Sequence, residues 1–297
     1  MKKAFIQLHT AVFLAGFTGI LGRLITLQEG WLVWYRLLFT ALTLWGLYYF
    51  RGKIENISRK DIMGIFATGI IAALHWLTFY GSIKYSNVSV ALVCFSSIGF
   101  FTAIVEPFIT GKKWHFLELV LGILVMLGIY IIFHFDPQFK LGITLGIISS
   151  FLAAIFPILN KQFLKRMQPP TLLAYEITGG FLGLSLMLPF YFLAFPADRW
   201  IPSWSDLGWL LFLSWICSVW AFQLTARALQ KVSAFTVNLT FNLEPVYGIL
   251  MAFLLYQENK MLHPAFYIGL FLIITAVVIQ TLRIYYTSRR TATPVNS

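Results

Sequence analysis

The sequence predicts an all-α integral membrane protein of ten transmembrane helices, arranged as two inverted repeats of five. Three observations support this fold class: an apolar composition, ten apolar segments of spanning length, and an internal repeat. Of the 297 residues, 59% are hydrophobic and 11% are charged, and the mean hydropathy is +0.79. A soluble domain carries about 25% charged residues, so this chain has too few polar residues to cover a surface in water.

Ten segments meet the length of about 20 mostly apolar residues that a transmembrane helix needs. The first follows a basic start, as in a signal peptide, but it is long and lacks a clear A-x-A cleavage site, so we interpret it as an uncleaved helix. The predicted spans are 4–25, 31–50, 62–83, 88–110, 115–133, 141–163, 172–195, 207–226, 233–256 and 263–285.

The basic residues orient these spans. With a cytoplasmic N-terminus, 16 of the 22 lysines and arginines fall on the cytoplasmic side, five fall on the outer side, and Arg36 lies within a span. The positive-inside rule predicts such a bias. It places both termini in the cytoplasm of a bacterial-type inner membrane. The net charge of +11 therefore reflects topology and contact with membrane lipids, and no nucleic-acid partner is predicted.

An internal repeat divides the chain. A shift of 147 residues places Lys84-x-Ser86 on Lys231-x-Ser233, and further matches occur near the start of each half at a shift of 138. Two copies of a unit with five spans must have opposite orientations in the membrane, and inverted repeats are common in secondary transporters. The predicted units are 1–136, 137–290 and a short cytoplasmic tail, 291–297.

The residues around the fourth span of each half resemble a known family. The stretches IKYSNVSVAL and ALQKVSAFTVNLTFNLEPVYGILMAFLLYQE are similar to the EamA family of the drug/metabolite transporter superfamily. The first copy departs from that pattern at Gly99, where the family usually has proline, and at Gly111-Lys112-Lys113, which lacks the usual acidic residue. The resemblance implies a ten-helix carrier, and known members include exporters of amino acids and other small metabolites.

We therefore predict a secondary transporter that exports a small metabolite, an amino acid or related zwitterion, by alternating access. Proton coupling, exchange and facilitation remain alternatives, as do a monomer and a homodimer. The other class considered is a polytopic membrane enzyme acting on lipid or a lipid-linked substrate. The five histidines are scattered along the chain and no GxxxxGK[ST] loop occurs, so we predict no enzyme, no metal and no cofactor.

Glu244 is the deepest predicted acidic residue, near the midpoint of the ninth span. Pro245 is expected to free the Phe241 carbonyl and kink the helix, and Asn238 and Asn242 would add polar groups nearby. Ionisable residues within the bilayer usually mark a pathway or a partner. Glu244 therefore either faces a substrate cavity or is a protonated structural lock. The repeat places Ser97 at the corresponding position of the first half.

Arg36 and Glu176 occupy matching places in the second and seventh spans. Their predicted depths differ, because Arg36 lies about six residues from the outer surface and Glu176 about five from the cytoplasmic one. We therefore expect no salt bridge between them. Arg36 is a candidate for binding a substrate carboxylate, since its fork suits that group. Snorkelling of Arg36 to outer headgroups is the alternative.

Several aromatic side chains lie too deep to be interfacial anchors. Trp76 and Tyr80 share one helix face by their spacing, and with Tyr247 they are candidates for the wall of a substrate cavity, although core packing explains the same pattern. His75 is either a proton relay or a satisfied core histidine. Cys94 and Cys217 each lie in an apolar run and are interpreted as buried thiols.

Overall fold

The computed structural model describes residues 2–111, 113–135, 137–229, 240–241 and 243–292, and all regular structure within them is helical. A π-helical segment, Leu213–Trp220, joins the helix Trp204–Phe212 to the helix Ala221–Leu229 without a break. The helices are α1 (Lys2–Leu24), α2 (Glu29–Tyr49), α3 (Arg59–Tyr85), α4 (Val88–Phe95), α5 (Ile98–Thr110), α6 (Phe116–Phe135), α7 (Lys140–Phe163), α8 (Pro169–Ala194), α9 (Trp204–Phe212), α10 (Ala221–Leu229), α11 (Glu244–Tyr256) and α12 (Pro264–Ala292).

Eight spans among the described residues are long and apolar enough to cross a membrane. They comprise α1, α3, α4 with α5, α6, α7, α8, α9 with its π-helical continuation, and α12. Two predicted spans fall outside this set. The helix α2 carries the charged residues Glu29 and Arg36, and α11 has only 13 residues. The chain is thus a multi-pass membrane protein.

The predicted span 88–110 is two helices, separated by a turn at Ser96 and Ser97. Local hydrogen bonds account for the turn, because both the Ser97 hydroxyl and the Ser97 amide donate to the Cys94 carbonyl. Serine side chains that bond nearby backbone groups compete with helical hydrogen bonds in this way. Part of the predicted span 233–256 lies outside the described residues, and α11 forms its second half.

The helices of the two halves contact each other in corresponding pairs. The helix α3 of the first half packs on α7 and α8 of the second half. The segment from α9 to α10 of the second half packs on α1 and α2 of the first half. The helices α6 and α12, which end the two repeats, pack on each other, and so do α4 and α11. Each half therefore buries its apolar faces mainly against the other half.

The connections gather at two ends of the bundle. At one end lie the connecting segments 25–28, 86–87 and 257–263. There Glu258 accepts hydrogen bonds from Arg23 and from the first turn of α4. At the other, Glu55 accepts from the amide of Gln168. We call these the Glu258 end and the Glu55 end. Glu258 is fully buried, and its carboxylate satisfies amides that a helix N-terminus leaves free.

Glycine allows the backbones of α3 and α8 to touch. A Cβ atom built on Gly69 would lie 2.8 Å from the Gly180 amide nitrogen and closer still to the Glu176 carbonyl oxygen. Small residues of this kind let membrane helices approach closely. No side chain of α8 can move aside here, because the obstructing atoms belong to its backbone.

We expect Gly69→Ala to destabilise the protein by about 1–3 kcal/mol, the usual cost of overpacking. Gly46→Ala is the matched control, since a Cβ at Gly46 meets no atom within 4 Å. Thermal unfolding in detergent measures the difference. Equal melting temperatures for the two variants would show that α3 and α8 do not pack closely at this point.

Candidate functional site

Arg36 lies at the centre of a polar cluster between the two halves. Its side chain is 7% exposed. One terminal nitrogen donates to the Tyr80 hydroxyl at 2.8 Å, while Nε and the other terminal nitrogen donate to Ser218 Oγ at 3.3 and 3.2 Å. The guanidinium carbon stands 4.5 Å from the ring centre of Trp76. Arg36 thus does not extend to a membrane surface, which disfavours the snorkelling alternative.

Helix geometry explains how these partners meet. Trp76 and Tyr80 are four residues apart on α3, so they present one face to Arg36. Ser218 belongs to the π-helical segment, and its hydroxyl donates to the Leu213 carbonyl five residues earlier, at 3.1 Å. The Ser214 hydroxyl donates to the Arg36 carbonyl. Since π-helical turns are frequent at functional sites, this wide turn makes Ser218 a further candidate site residue, which the sequence did not reveal.

The charge of Arg36 has no direct counter-ion in the described part of the chain, where no carboxylate oxygen lies within 4.0 Å of it. Glu244 is near enough to interact with it electrostatically. A buried charge is costly unless it is paired. Tyr80, Ser218 and the Trp76 ring compensate part of that cost. An anion bound beside Arg36 would supply the rest.

Glu244 and Pro245 begin α11, and this differs from the predicted kink in a continuous helix. A turn at Leu243 precedes them, and the Leu243 amide donates to the Thr240 carbonyl. Pro245 lies in the first turn, where its missing N–H costs nothing. A carboxylate there is favoured by the helix dipole. Asn238 and Asn242, predicted beside Glu244, lie outside the described residues.

The backbone of α11 at Glu244 touches α1. A Cβ atom on Gly16 would stand 2.9 Å from the Glu244 carbonyl oxygen and 3.0 Å from the Gly248 nitrogen. The start of α11 is therefore held against α1 by direct backbone contact. This contact positions Glu244 relative to the rest of the bundle.

Ser97 occupies the corresponding place in the first half but has a different environment. It is fully buried and its hydroxyl bonds to the Cys94 carbonyl at 2.7 Å. Both halves nevertheless have a turn at this point, Ser96–Ser97 before α5 and Leu243 before α11. The two turns thus share a position in the repeat, while only the second is followed by a carboxylate.

Two other predicted site residues form their hydrogen bonds with groups outside the Arg36 cluster. Tyr247 bonds through its hydroxyl to Nδ1 of His9 at 3.0 Å and contacts the ring of Phe13, so it faces α1. His75 is buried, with Nδ1 at 3.0 Å from the Ser149 carbonyl and 2.9 Å from the Ser149 hydroxyl. These bonds are those of a satisfied core histidine.

Glu176 forms a separate buried polar site between α7 and α8. It is 6% exposed, and both its oxygens accept from the side-chain amide of Asn160 at 2.9 Å. Arg36 and Glu176 each have their own partners, and no salt bridge joins these two described residues. The structure therefore does not bring Glu176 into the Arg36 cluster.

A cavity of about 540 Å³ opens at the Glu258 end, where the sequence predicted only loops. We call it the vestibule. Arg199 contributes to its wall and pairs with the buried Asp206 at 2.6 Å. No sequence pattern singled out this group, because isolated charges at span ends resemble ordinary loop residues. The polar lining includes Gln28, Glu29, Lys84, Tyr85, Asp198 and Arg199.

Charged residues also line a smaller cavity of about 240 Å³ near the Glu55 end. Glu118 pairs there with Arg283 at 3.2 Å. This ion pair joins α6 to α12. Within the described ranges, no group of three or more histidine, cysteine, aspartate or glutamate side chains is arranged to hold a metal ion.

The fold and the central cluster define a polytopic helical membrane protein built from two repeats, with a buried cation between them. The family profile of the EamA-like transporters matches residues 2–134 and again 140–282. The chain therefore belongs to the EamA-like transporter family, within the drug/metabolite transporter superfamily. The two matches coincide closely with the two predicted units.

A solved structure shares the fold. It is described only as a crystal structure of a protein, and it matches 95% of this chain and 98% of its own with a TM-score of 0.61 and 12% identity. At that identity the likeness shows the fold alone. No curated protein matches the chain.

Proposed function

We propose that this membrane transporter carries an amino acid or a related zwitterion by alternating access between two inverted five-helix halves, in the direction of export. The observation that carries the proposal is the buried Arg36, which has hydrogen-bond partners but no carboxylate at ion-pair distance within the described residues. A substrate carboxylate would complete this site with the planar geometry that a guanidinium favours.

Glu244 supplies the opposite charge. It interacts electrostatically with Arg36 but no ion pair joins these two described residues, so a substrate that bears both charges would be attracted by each of them. In this arrangement the carboxylate would bind Arg36 and the amine would bind Glu244. The face of Trp76 would contact an apolar side chain of the substrate.

Alternating access is supported by the arrangement of the helices. The corresponding contacts of the two halves are those expected when one unit rocks against the other around a shared site. Ten crossings follow if α2 and the segment ending in α11 also span the bilayer. The charge bias then places the Glu258 end outside and both termini in the cytoplasm.

Reconstituted proteoliposomes test this function. We expect uptake of radiolabelled L-leucine or another member of an L-amino acid panel, with slower uptake of 3-methylbutylamine and 4-methylpentanoate, which each keep one charge of leucine. Assays with and without a pH gradient distinguish proton coupling from exchange or facilitation. Absence of uptake for the entire panel, with folded and correctly inserted protein, would contradict the proposed substrate class.

A further inference from the structure

We propose that the vestibule is a second binding site for the same zwitterionic ligand, with Lys84 as the carboxylate-binding group and Glu29 as the amine-binding group. The inference rests on the proposed function for the substrate class. It is carried by separate residues, which lie closer to the Glu258 end than Arg36 does.

Lys84 and Glu29 line one cavity without touching. They interact electrostatically, yet in the described structure no nitrogen–oxygen distance within 4.0 Å joins them. Two opposite charges that face the same 540 Å³ space without forming a pair leave room for a ligand between them. A zwitterion would place a carboxylate against the ammonium and an ammonium against the carboxylate.

Both groups are held in position and keep unused hydrogen-bonding capacity. Lys84 donates to the Ile25 carbonyl, and an ammonium has three N–H donors. Glu29 is 2% exposed and accepts from the Tyr191 hydroxyl, while an ionised carboxylate has about four acceptor positions. Each residue therefore has a fixed side chain with capacity for a second partner.

Arg199 and Asp206 form a hydrogen-bonded group of their own beside the vestibule. Arg199 donates to Asp206 and to Thr26, and Asp206 also accepts from the Thr26 amide. Asp198 is exposed. The proposed ligand-binding groups are therefore Lys84 and Glu29, because Arg199 and Asp206 already pair with each other.

The vestibule and the Arg36 cluster are built on the same two helices, α2 and α3. Glu29 and Arg36 are seven residues apart on α2, which puts them on the same helix face about 10 Å apart along the axis. Lys84 follows Tyr80 by one turn on α3, about 6 Å along the axis. Two pairs of opposite charge thus stand in series, Lys84 with Glu29 and then Arg36 with Glu244.

Tyr80 separates the two sites. Its side chain is completely buried, and its hydroxyl accepts a hydrogen bond from Arg36. The Tyr80 ring also packs against α1, where a Cβ atom on Gly22 would be 2.6 Å from it. The buried contact between Tyr80 and Arg36 thus lies between the vestibule and the centre of the cluster.

Equilibrium binding in lipid nanodiscs measures binding at the vestibule independently of transport. Arg36→Gln removes the central carboxylate-binding group, so the remaining site for radiolabelled L-leucine is expected in the vestibule. In this background we expect Lys84→Gln to weaken binding by about tenfold or more, as loss of a charge-assisted hydrogen bond does. Lys84→Arg keeps the charge and is expected to retain binding. Lys140→Gln, an exposed lysine at the same end and outside the cavity, is the matched control.

Competition by the single-charge analogues tests the ligand class without a further substitution. Both 3-methylbutylamine and 4-methylpentanoate are expected to compete at least about tenfold more weakly than L-leucine, because each lacks one charged contact. If Arg36→Gln does not fold, the same substitutions are made in the wild-type protein. There the number of leucines bound per chain is expected to fall from two to one when Lys84 is replaced by glutamine.

The outcomes separate this proposal from the transport function. Binding that depends on Lys84 without any leucine uptake would support the vestibule site and contradict leucine transport. Leucine uptake together with binding that is unchanged by Lys84→Gln, or equal competition by the amine analogue, would overturn the vestibule site and leave the transport function standing.

Discussion

Replacing Arg36 by glutamine is expected to raise the KM for L-leucine uptake by about 10- to 100-fold in proteoliposomes, the range that follows from losing a charge-assisted hydrogen bond to the substrate carboxylate. Arg36→Lys is expected to give an intermediate value, because it keeps the charge but loses the fork that binds a carboxylate through two nitrogens. The uptake of 3-methylbutylamine, which has no carboxylate, should change little.

The control for this experiment is Arg51→Gln, an exposed arginine between α2 and α3. It is expected to leave the KM for leucine unchanged. Melting temperature and size-exclusion profile identify variants that fail to fold. An unchanged leucine KM in folded Arg36→Gln protein would remove Arg36 from the binding site and leave it with a structural role.

Replacing Glu244 by glutamine is expected to slow leucine transport by about 10- to 100-fold and to flatten any dependence of its rate on pH. Glutamine keeps the size of the side chain and can donate a hydrogen bond as a protonated carboxyl does. A structural lock would therefore survive this change, whereas a group that binds an amine or carries a proton would not. The variant thus distinguishes the two alternatives left by the sequence.

Uptake at several pH values measures the effect, with Glu118→Gln as a matched control at the Glu55 end, where its carboxylate pairs with Arg283. The control should retain the rate and the pH dependence of the wild type. A Glu244→Gln protein that transports leucine at the wild-type rate across this pH range would establish the structural lock.

Much of the fold could be predicted because it depends on segment length and hydropathy. The apolar spans and the repeat are visible in the sequence, and the family profile matches the chain twice, over residues 2–134 and 140–282. The turn at Ser96–Ser97 was not predicted, since neither glycine nor proline marks it. It depends on a serine hydroxyl that bonds back to Cys94, and the same residue type occurs within ordinary membrane helices.

The candidate site was predicted only in part, because tertiary packing brings its residues together from distant parts of the chain. Arg36, Trp76 and Tyr80 were singled out as deep residues of unusual type, and the structure brings them together. Ser218 lies on a distant helix and joins them only through the π-helical turn. Tyr247 and His75 were also deep, but their side chains form hydrogen bonds with α1 and α7 and not with Arg36.

Glu29 and Lys84 illustrate a second limit. Both lie at the ends of predicted spans, where single charges are common and usually contact water. Their significance depends on a cavity formed by segments far apart in the chain, including residues 196–199. No pattern within either span indicates that the two charges face each other.

The π-helical segment has a consequence for the energetics of the transport cycle. A π-turn accommodates an added residue without breaking the helix, and each residue turns the following side chains by about 100°. The helix α3, its counterpart in the other half, is α-helical throughout. The two halves are therefore not interchangeable, and in the proposed alternating-access cycle the inward-facing and outward-facing states should differ in free energy. A carrier with unequal states is expected to show different apparent affinities at its two faces, while the concentration ratio at which net flux stops is set only by the driving force.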